Sequence, residues 1–223
     1  VLLHGCCHNP TGANLTPAQW DRVAESLKRT GAFPLIDLAY LGFGDGLEQD
    51  AYGVRKIAAS VPEAMIAFSA SKNFGLYRER TGVAIAIAKD AATADVVSSQ
   101  MQNIIRGTIS QTPDHGAEIV RTILEDKALR AEWETELNQM RERMKRLRVK
   151  LADAIRRKSN SKDFDFIADH SGMFSLLGLP QDVVEKLKKD DAVYMINDSR
   201  INVAGIPEDR VDELADFLIA AAS

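Results

Sequence analysis

The sequence predicts an α/β protein: a layered domain built on a largely parallel sheet, followed by a smaller α+β domain. Three observations lead there. Short apolar runs at 1–4, 33–38, 64–68 and 83–88 alternate with helical patterns at 16–30 and 50–60, the order expected of strands joined by helical crossovers. A long amphipathic stretch covers 126–158. Beyond it, apolar runs at 164–168, 173–179, 192–196 and 200–203 mix with helical patterns at 181–189 and 208–222. The larger domain is thus expected over 1–127, with the connecting helix and the smaller domain over 128–223.

Each element has a local reason. Thr16 followed by Pro17 is a good helix start, since the hydroxyl can cap free N–H groups and proline suits the first helical position. In the long helix, Leu129, Trp133, Leu137, Met140, Met144, Leu147, Leu151 and Ile155 recur at spacings of three and four, one stripe on a charged rod. The charges do not settle into a heptad, so the stripe predicts packing on a core rather than a coiled coil. Ser159-Asn160-Ser161 then marks a turn, and His115 reads as a helix start.

Composition narrows the function. Among 223 residues, 28 Lys and Arg stand against 32 Asp and Glu, a net charge of -4 without the basic footprint of a nucleic-acid binder. No apolar run approaches the roughly 20 residues of a membrane span. Cys6 and Cys7 are the only cysteines and are adjacent, which predicts small core residues in a reducing, cytoplasmic setting rather than a disulfide framework. His4, His8, His115 and His170 lack metal-ligand spacing, and no metal site is expected.

The chemistry centres on Ser71-Lys72-Asn73-Phe74-Gly75, a lysine in a small glycine-containing loop between two apolar runs. Burial disfavours an ammonium ion, so such an amine can become free and condense with an aldehyde or ketone. Other polar residues fall at strand ends, where open α/β sheets place ligands: Asn9 after the first run, Asp37 at the end of strand 33–36, and Tyr40 beyond it. For a pyridoxal cofactor, a carboxylate such as Asp37 would keep the ring nitrogen protonated, and Tyr40 and Asn9 would hold the ring oxygen. Ser69, Ser71 and Arg80 could bind a phosphate. Plainer roles stay open at this point: Asp37 as a cap, Tyr40 as a core tyrosine, Asn9 as a turn former before Pro10, and the arginines as surface ion pairs. Phe74, Tyr77, Met173 and Phe174 read as packing groups.

Four segments carry a family resemblance: His8-Asn9-Pro10-Thr11-Gly12, Asp37-Leu38-Ala39-Tyr40, the stretch from Ser69-Ala70-Ser71-Lys72 to Arg80, and Arg200-Ile201-Asn202-Val203-Ala204-Gly205. Together, and in this order, they resemble the aspartate and aromatic amino-acid aminotransferases, pyridoxal-phosphate enzymes of fold type I. The resemblance implies that Lys72 is the catalytic lysine, bonded to pyridoxal 5'-phosphate and shuttling a proton. It further implies contacts of Asp37 with the ring nitrogen, of Asn9 and Tyr40 with the ring oxygen, and of Ser69 and Arg80 with the phosphate. Arg200 would clamp the substrate α-carboxylate. Arg106, in Ile104-Ile105-Arg106-Gly107-Thr108-Ile109-Ser110, would bind a distal carboxylate in the neighbouring subunit's site, and Ser110 a cofactor phosphate across the same interface. Ile109 stands where the family commonly has an aromatic residue.

The implied activity is ping-pong transfer of the amino group of aspartate or an aromatic amino acid to 2-oxoglutarate, by a homodimer with shared active sites. A lyase or decarboxylase of the same fold uses similar contacts and is the alternative, as is a non-catalytic ligand-binding fragment. Because the chain opens on Val1 directly into a strand, it is expected to be an N-terminally truncated portion whose large-domain sheet is incomplete.

Overall fold

The computed structural model describes residues 1–222. The chain divides into two units. One holds Val1–Cys6, Leu15–Gly42 and Gly46–Leu137; the other holds Cys7–Asn14, Phe43–Asp45 and the chain from Asn138 onward.

In the first unit, strands β1 (Leu2–His4), β2 (Leu35–Leu38), β3 (Ala64–Ser69) and β4 (Gly82–Ile87) form one sheet in that order. β1 pairs parallel with β2 and β2 with β3, while β4 runs antiparallel to β3. Parallel neighbours need crossover connections. Helix α1 (Pro17–Thr30) supplies the first, and α2 (Leu47–Asp50) with α3 (Tyr52–Ala58) the second. Thr16 starts α1 as its chemistry allows: its Oγ1 accepts from Gln19 N at 3.3 Å, and Gln19 Oε1 accepts from Thr16 N at 2.8 Å, a reciprocal capping box. Trp20, Ala24 and Leu27 are the buried face of α1. The Trp20 indole lies so close to Gly53 of α3 that an added Cβ would sit 2.2 Å from it.

Two expectations change in this unit. β2 begins after Pro34, which has no N–H for a ladder, and continues through Leu38, so Asp37 lies inside the strand, in register with His4 and Ala67, rather than at its end. The single helix read over 50–60 is the two short helices α2 and α3, which meet at Ala51. Helix α5 (His115–Glu125) begins at the expected helix start His115, whereas α4 (Ala91–Thr108) has no counterpart in the sequence reading. Asp90 caps α4 by accepting from Thr93 N at 2.7 Å. Val97, Met101, Ile104 and Ile105 recur in α4 at helical spacings, yet none of its residues is buried.

Helix α6 (Lys127–Ser159) runs from the first unit into the second, which adds α7 (Phe166–Asp169), β5 (Phe174–Leu176), α8 (Gln181–Asp190), β6 (Arg200–Asn202) and α9 (Val211–Ala222). β5 and β6 form an antiparallel pair in which Leu176 faces Arg200. Leu147, Leu151, Ile155, Ile167, Leu187, Val203 and Leu218 make the centre of this core, and burying each such side chain stabilises by about 1.5–3 kcal/mol.

The α6 stripe is only partly buried: Leu137, Met144, Leu147, Leu151 and Ile155 are inside, whereas Leu129 and Met140 are exposed. The strand read over 164–168 is instead the helical turn α7. Ile167 of α7 and Phe164 in the turn before it are buried and stand three apart, a helical spacing that the short apolar run concealed. The run over 192–196 forms no strand: Ala192 takes φ 54°, and Tyr194 and Ile196 are exposed.

Candidate active site

Within the first unit, the strand ends bring several of the expected residues to the Lys72 loop. β3 ends at Ser69, whose Oγ accepts from Ser71 N at 3.2 Å. The chain then turns tightly. Phe74 N donates to Ala70 O at 3.3 Å and Gly75 N to Lys72 O at 3.1 Å, and Gly75 takes φ 68°, where a side chain would be strained. Ser71 and Asn73 are buried, while Lys72 between them is half-buried.

The amine meets an aromatic face. Lys72 Nζ lies 4.8 Å from the ring centroid of Tyr40, which is buried. Asp37 is half-buried on the central strand β2, and its main-chain oxygen accepts from Gly5 N at 2.8 Å. Arg80 is exposed, takes φ 53°, and donates from Nη1 to Tyr77 O at 3.1 Å. Arg106 and Ser110 form a separate pair at the end of α4: Arg106 Nη1 donates to Ser110 Oγ at 2.9 Å, and both are exposed.

In the second unit, Arg200 of β6 meets Asn9. Arg200 Nη1 donates to Asn9 Oδ1 at 2.6 Å, although the two residues are 191 positions apart. The guanidinium also stacks over the Phe174 ring at 4.9 Å, so Phe174, read from sequence as packing alone, is the platform on which this arginine rests. Among the described residues, Arg200 Nε is buried without an acceptor. A donor left unpaired in that way is costly unless a ligand such as a carboxylate engages it.

The loop that carries Asn9 is fastened at several points. His8 Nδ1 lies 2.7 Å from Thr11 Oγ1, His170 Nδ1 lies 2.9 Å from Thr11 O, and Ser171 N donates to Gly12 O at 2.8 Å. Gly12 takes φ 81°, and an added Cβ would stand 2.5 Å from Phe174 O. Beneath both segments lies Arg148, 1% exposed, whose guanidinium donates to the carbonyls of Ile167, Gly172 and Phe174 and to Ser175 Oγ. Burial pushes its pKa down to about 10, so it stays charged near neutrality. Sequence reasoning missed Arg148. The available signal was its place in the buried stripe of α6, four residues after Met144 and three before Leu151.

This fold and these clusters define a class. The chain belongs to the aminotransferase class I and II family, whose model matches residues 1–218. It is 53% identical to the aromatic-amino-acid aminotransferase of Paracoccus denitrificans over 219 residues, 98% of this chain and 56% of that one. It is 45% identical to the aspartate aminotransferase of Escherichia coli K12 over 220 residues, 99% of this chain and 56% of that protein. A solved aromatic-amino-acid aminotransferase of Burkholderia pseudomallei, covalently bound to pyridoxal phosphate, superposes with a TM-score of 0.96 at 38% identity, covering 100% of this chain and 56% of that one. The chain thus has the expected fold of the fold type I transferases, and it spans about half the length of the curated relatives it matches.

Proposed function

We propose that the protein to which this chain belongs is a pyridoxal-phosphate-dependent aminotransferase acting on aspartate or aromatic amino acids, with 2-oxoglutarate as acceptor in a ping-pong cycle. The observation that carries the reading is the half-buried Lys72 amine on the Tyr40 ring, in a chain whose relatives are aminotransferases of both specificities. The donor set suits the cofactor: an amine for its aldehyde, a carboxylate and a phenol for its ring, and serines with an exposed arginine for its phosphate.

Pyridoxal phosphate, when bound, supplies an electron sink for the pair released when a bond at the substrate α-carbon breaks. The chain's own residues do the rest. Asp37 would hold a proton on the ring nitrogen by its negative charge, and Tyr40 and Asn9 would hydrogen-bond the ring oxygen. Ser69, Ser71, Arg80 and, from a neighbouring subunit, Ser110 would bind the phosphate. The Lys72 amine would carry the proton to and from the α-carbon as general base and acid.

Arg200 would bind the substrate α-carboxylate, already oriented by Asn9 and Phe174 and holding one unpaired donor. Arg106 would bind the distal carboxylate of a dicarboxylic substrate in a neighbouring subunit's site, which makes the working form a homodimer. In this reading, residues 1–127 belong to the cofactor-binding domain, and 128–223 form the connecting helix and small domain. Cys6 and Cys7, both buried thiols outside any disulfide among the described residues, are consistent with a reducing cytoplasm.

The test is the full-length protein with Lys72→Ala. The expected result is loss of the visible absorbance of the lysine-bound cofactor and of nearly all transamination. Normal turnover in that variant would end the assignment, and amino-donor loss without stoichiometric consumption of 2-oxoglutarate would point to a lyase.

A further inference from the structure

We propose that Trp133 is a positioning residue for Lys72, an inference that rests on the assignment of Lys72 as the cofactor lysine. Trp133 lies near the start of α6, within the first unit, and holds both residues that follow Lys72. Its indole Nε1 donates to Asn73 O at 2.7 Å. Its ring stacks on Phe74 with centroids 4.4 Å apart and planes 8° from parallel. A hydrogen bond to the backbone and an offset stack on the next side chain restrain different motions: one fixes the peptide plane, the other the tilt of the turn.

After the lysine, the loop is otherwise held by the Phe74 N bond to Ala70 O and by burial of Asn73. Gly75 closes the turn with its bond to Lys72 O, and no atom stands within 4 Å of where a Gly75 side chain would begin, so packing does not hold the turn on that side. On the lysine side, Ser71 is held through Ser69 Oγ. Trp133 therefore supplies the C-terminal anchor and Ser69 the N-terminal one, with the Lys72 amine presented to the Tyr40 face between them. A general base must be held close to its target geometry, because small displacements weaken proton transfer steeply. The indole acts on that geometry through the backbone and touches neither amine nor substrate.

Two variants of the full-length protein separate the parts: Trp133→Phe keeps a ring for stacking and removes the N–H, and Phe74→Leu removes the stack and keeps the N–H. In cofactor-free protein, amide hydrogen exchange across 71–77 is expected to quicken by about threefold to tenfold in Trp133→Phe. In cofactor-loaded protein, kcat is expected to fall by about threefold to tenfold with KM within about twofold, and the visible circular dichroism per bound cofactor is expected to drop. A residue that only packed the fold would lower thermal stability and leave the visible dichroism and the kcat-to-KM split alone.

Unchanged exchange in Trp133→Phe overturns the clamp, and faster exchange with unchanged kcat and dichroism overturns the positioning role. Should Trp133→Phe fail to fold, Phe74→Leu decides by the same readings: a drop in kcat and dichroism supports the proposal and no change in either overturns it. The exchange measurement needs no cofactor. A wild-type protein that forms no lysine-bound chromophore would sink the assignment of Lys72 while leaving the clamp itself measurable.

Discussion

Replacing Arg148 by methionine is expected to destabilise the second unit by about 3 kcal/mol, a balance of two opposing effects. The guanidinium donates to Gly172 O at 2.8 Å, Ile167 O at 3.1 Å and Ser175 Oγ at 2.6 Å, all buried, and to the partly buried Phe174 O at 2.6 Å. Methionine fills much of the stem volume and offers no donor. Each buried carbonyl that loses its partner costs about 1–3 kcal/mol. Working the other way, burial of the cation pushes its pKa down to about 10, a displacement worth roughly 3 kcal/mol that methionine relieves. Three orphaned carbonyls and a hydroxyl outweigh that relief. Urea unfolding of the full-length protein and of Arg148→Met, compared at equal m-value, measures the difference. Arg148→Lys keeps the charge but places three donors on one nitrogen, and it should fall between the two. A change within about 0.5 kcal/mol in Arg148→Met would refute the reasoning, because surface substitutions already move stability by that much.

Three further outcomes follow. Gly12→Ala should lower stability by about 2–3 kcal/mol, since Gly12 takes φ 81° and its Cβ would press on Phe174 O; an unchanged melting temperature would contradict this geometry. Glu79 lies 3.0 Å from His115 Nδ1, and that hydrogen bond raises the His115 pKa, so the pair's contribution is present at low pH and is lost as pH rises through the raised value. Titration of His115 by NMR should therefore show a midpoint above that of an ordinary histidine that falls in Glu79→Gln, and a midpoint unaffected by that change would remove Glu79 as the cause. Under the proposed function, Arg200→Ala should weaken every amino-acid substrate whereas Arg106→Ala should weaken dicarboxylates selectively, and equal losses across a substrate panel would exclude the Arg106 role.

Much of the fold could be read along the chain where the rule is local. The Thr16-Pro17 start of α1 needs only the next three residues, and the α6 stripe needs only a period near 3.6. Reading failed where a neighbour distant in sequence sets the state. The apolar residues of 164–168 fit strand or helix equally until the core places Phe164 and Ile167 on the same side. The run over 192–196 has strand-like residues, yet β6 pairs with β5 and leaves Tyr194 exposed. Helix α4 has apolar residues at helical spacings, Val97, Met101 and Ile104 among them, but buries none of them.

The site divides along the same line. From the chain alone came the family, the lysine loop and the candidate donors Asn9, Asp37, Tyr40, Ser69, Ser71, Arg80, Arg106, Ser110 and Arg200, because contiguous motifs carry backbone and chemical requirements in adjacent residues. The folded structure alone put the Arg200 fork on Asn9, the Phe174 ring beneath that arginine, Arg148 under the loop that holds them, and Trp133 against the peptide after Lys72. Those contacts join residues dozens to nearly two hundred positions apart, and no local pattern can encode them. They exist because burying the apolar faces of α6 and its neighbours leaves these polar groups nowhere else to find partners.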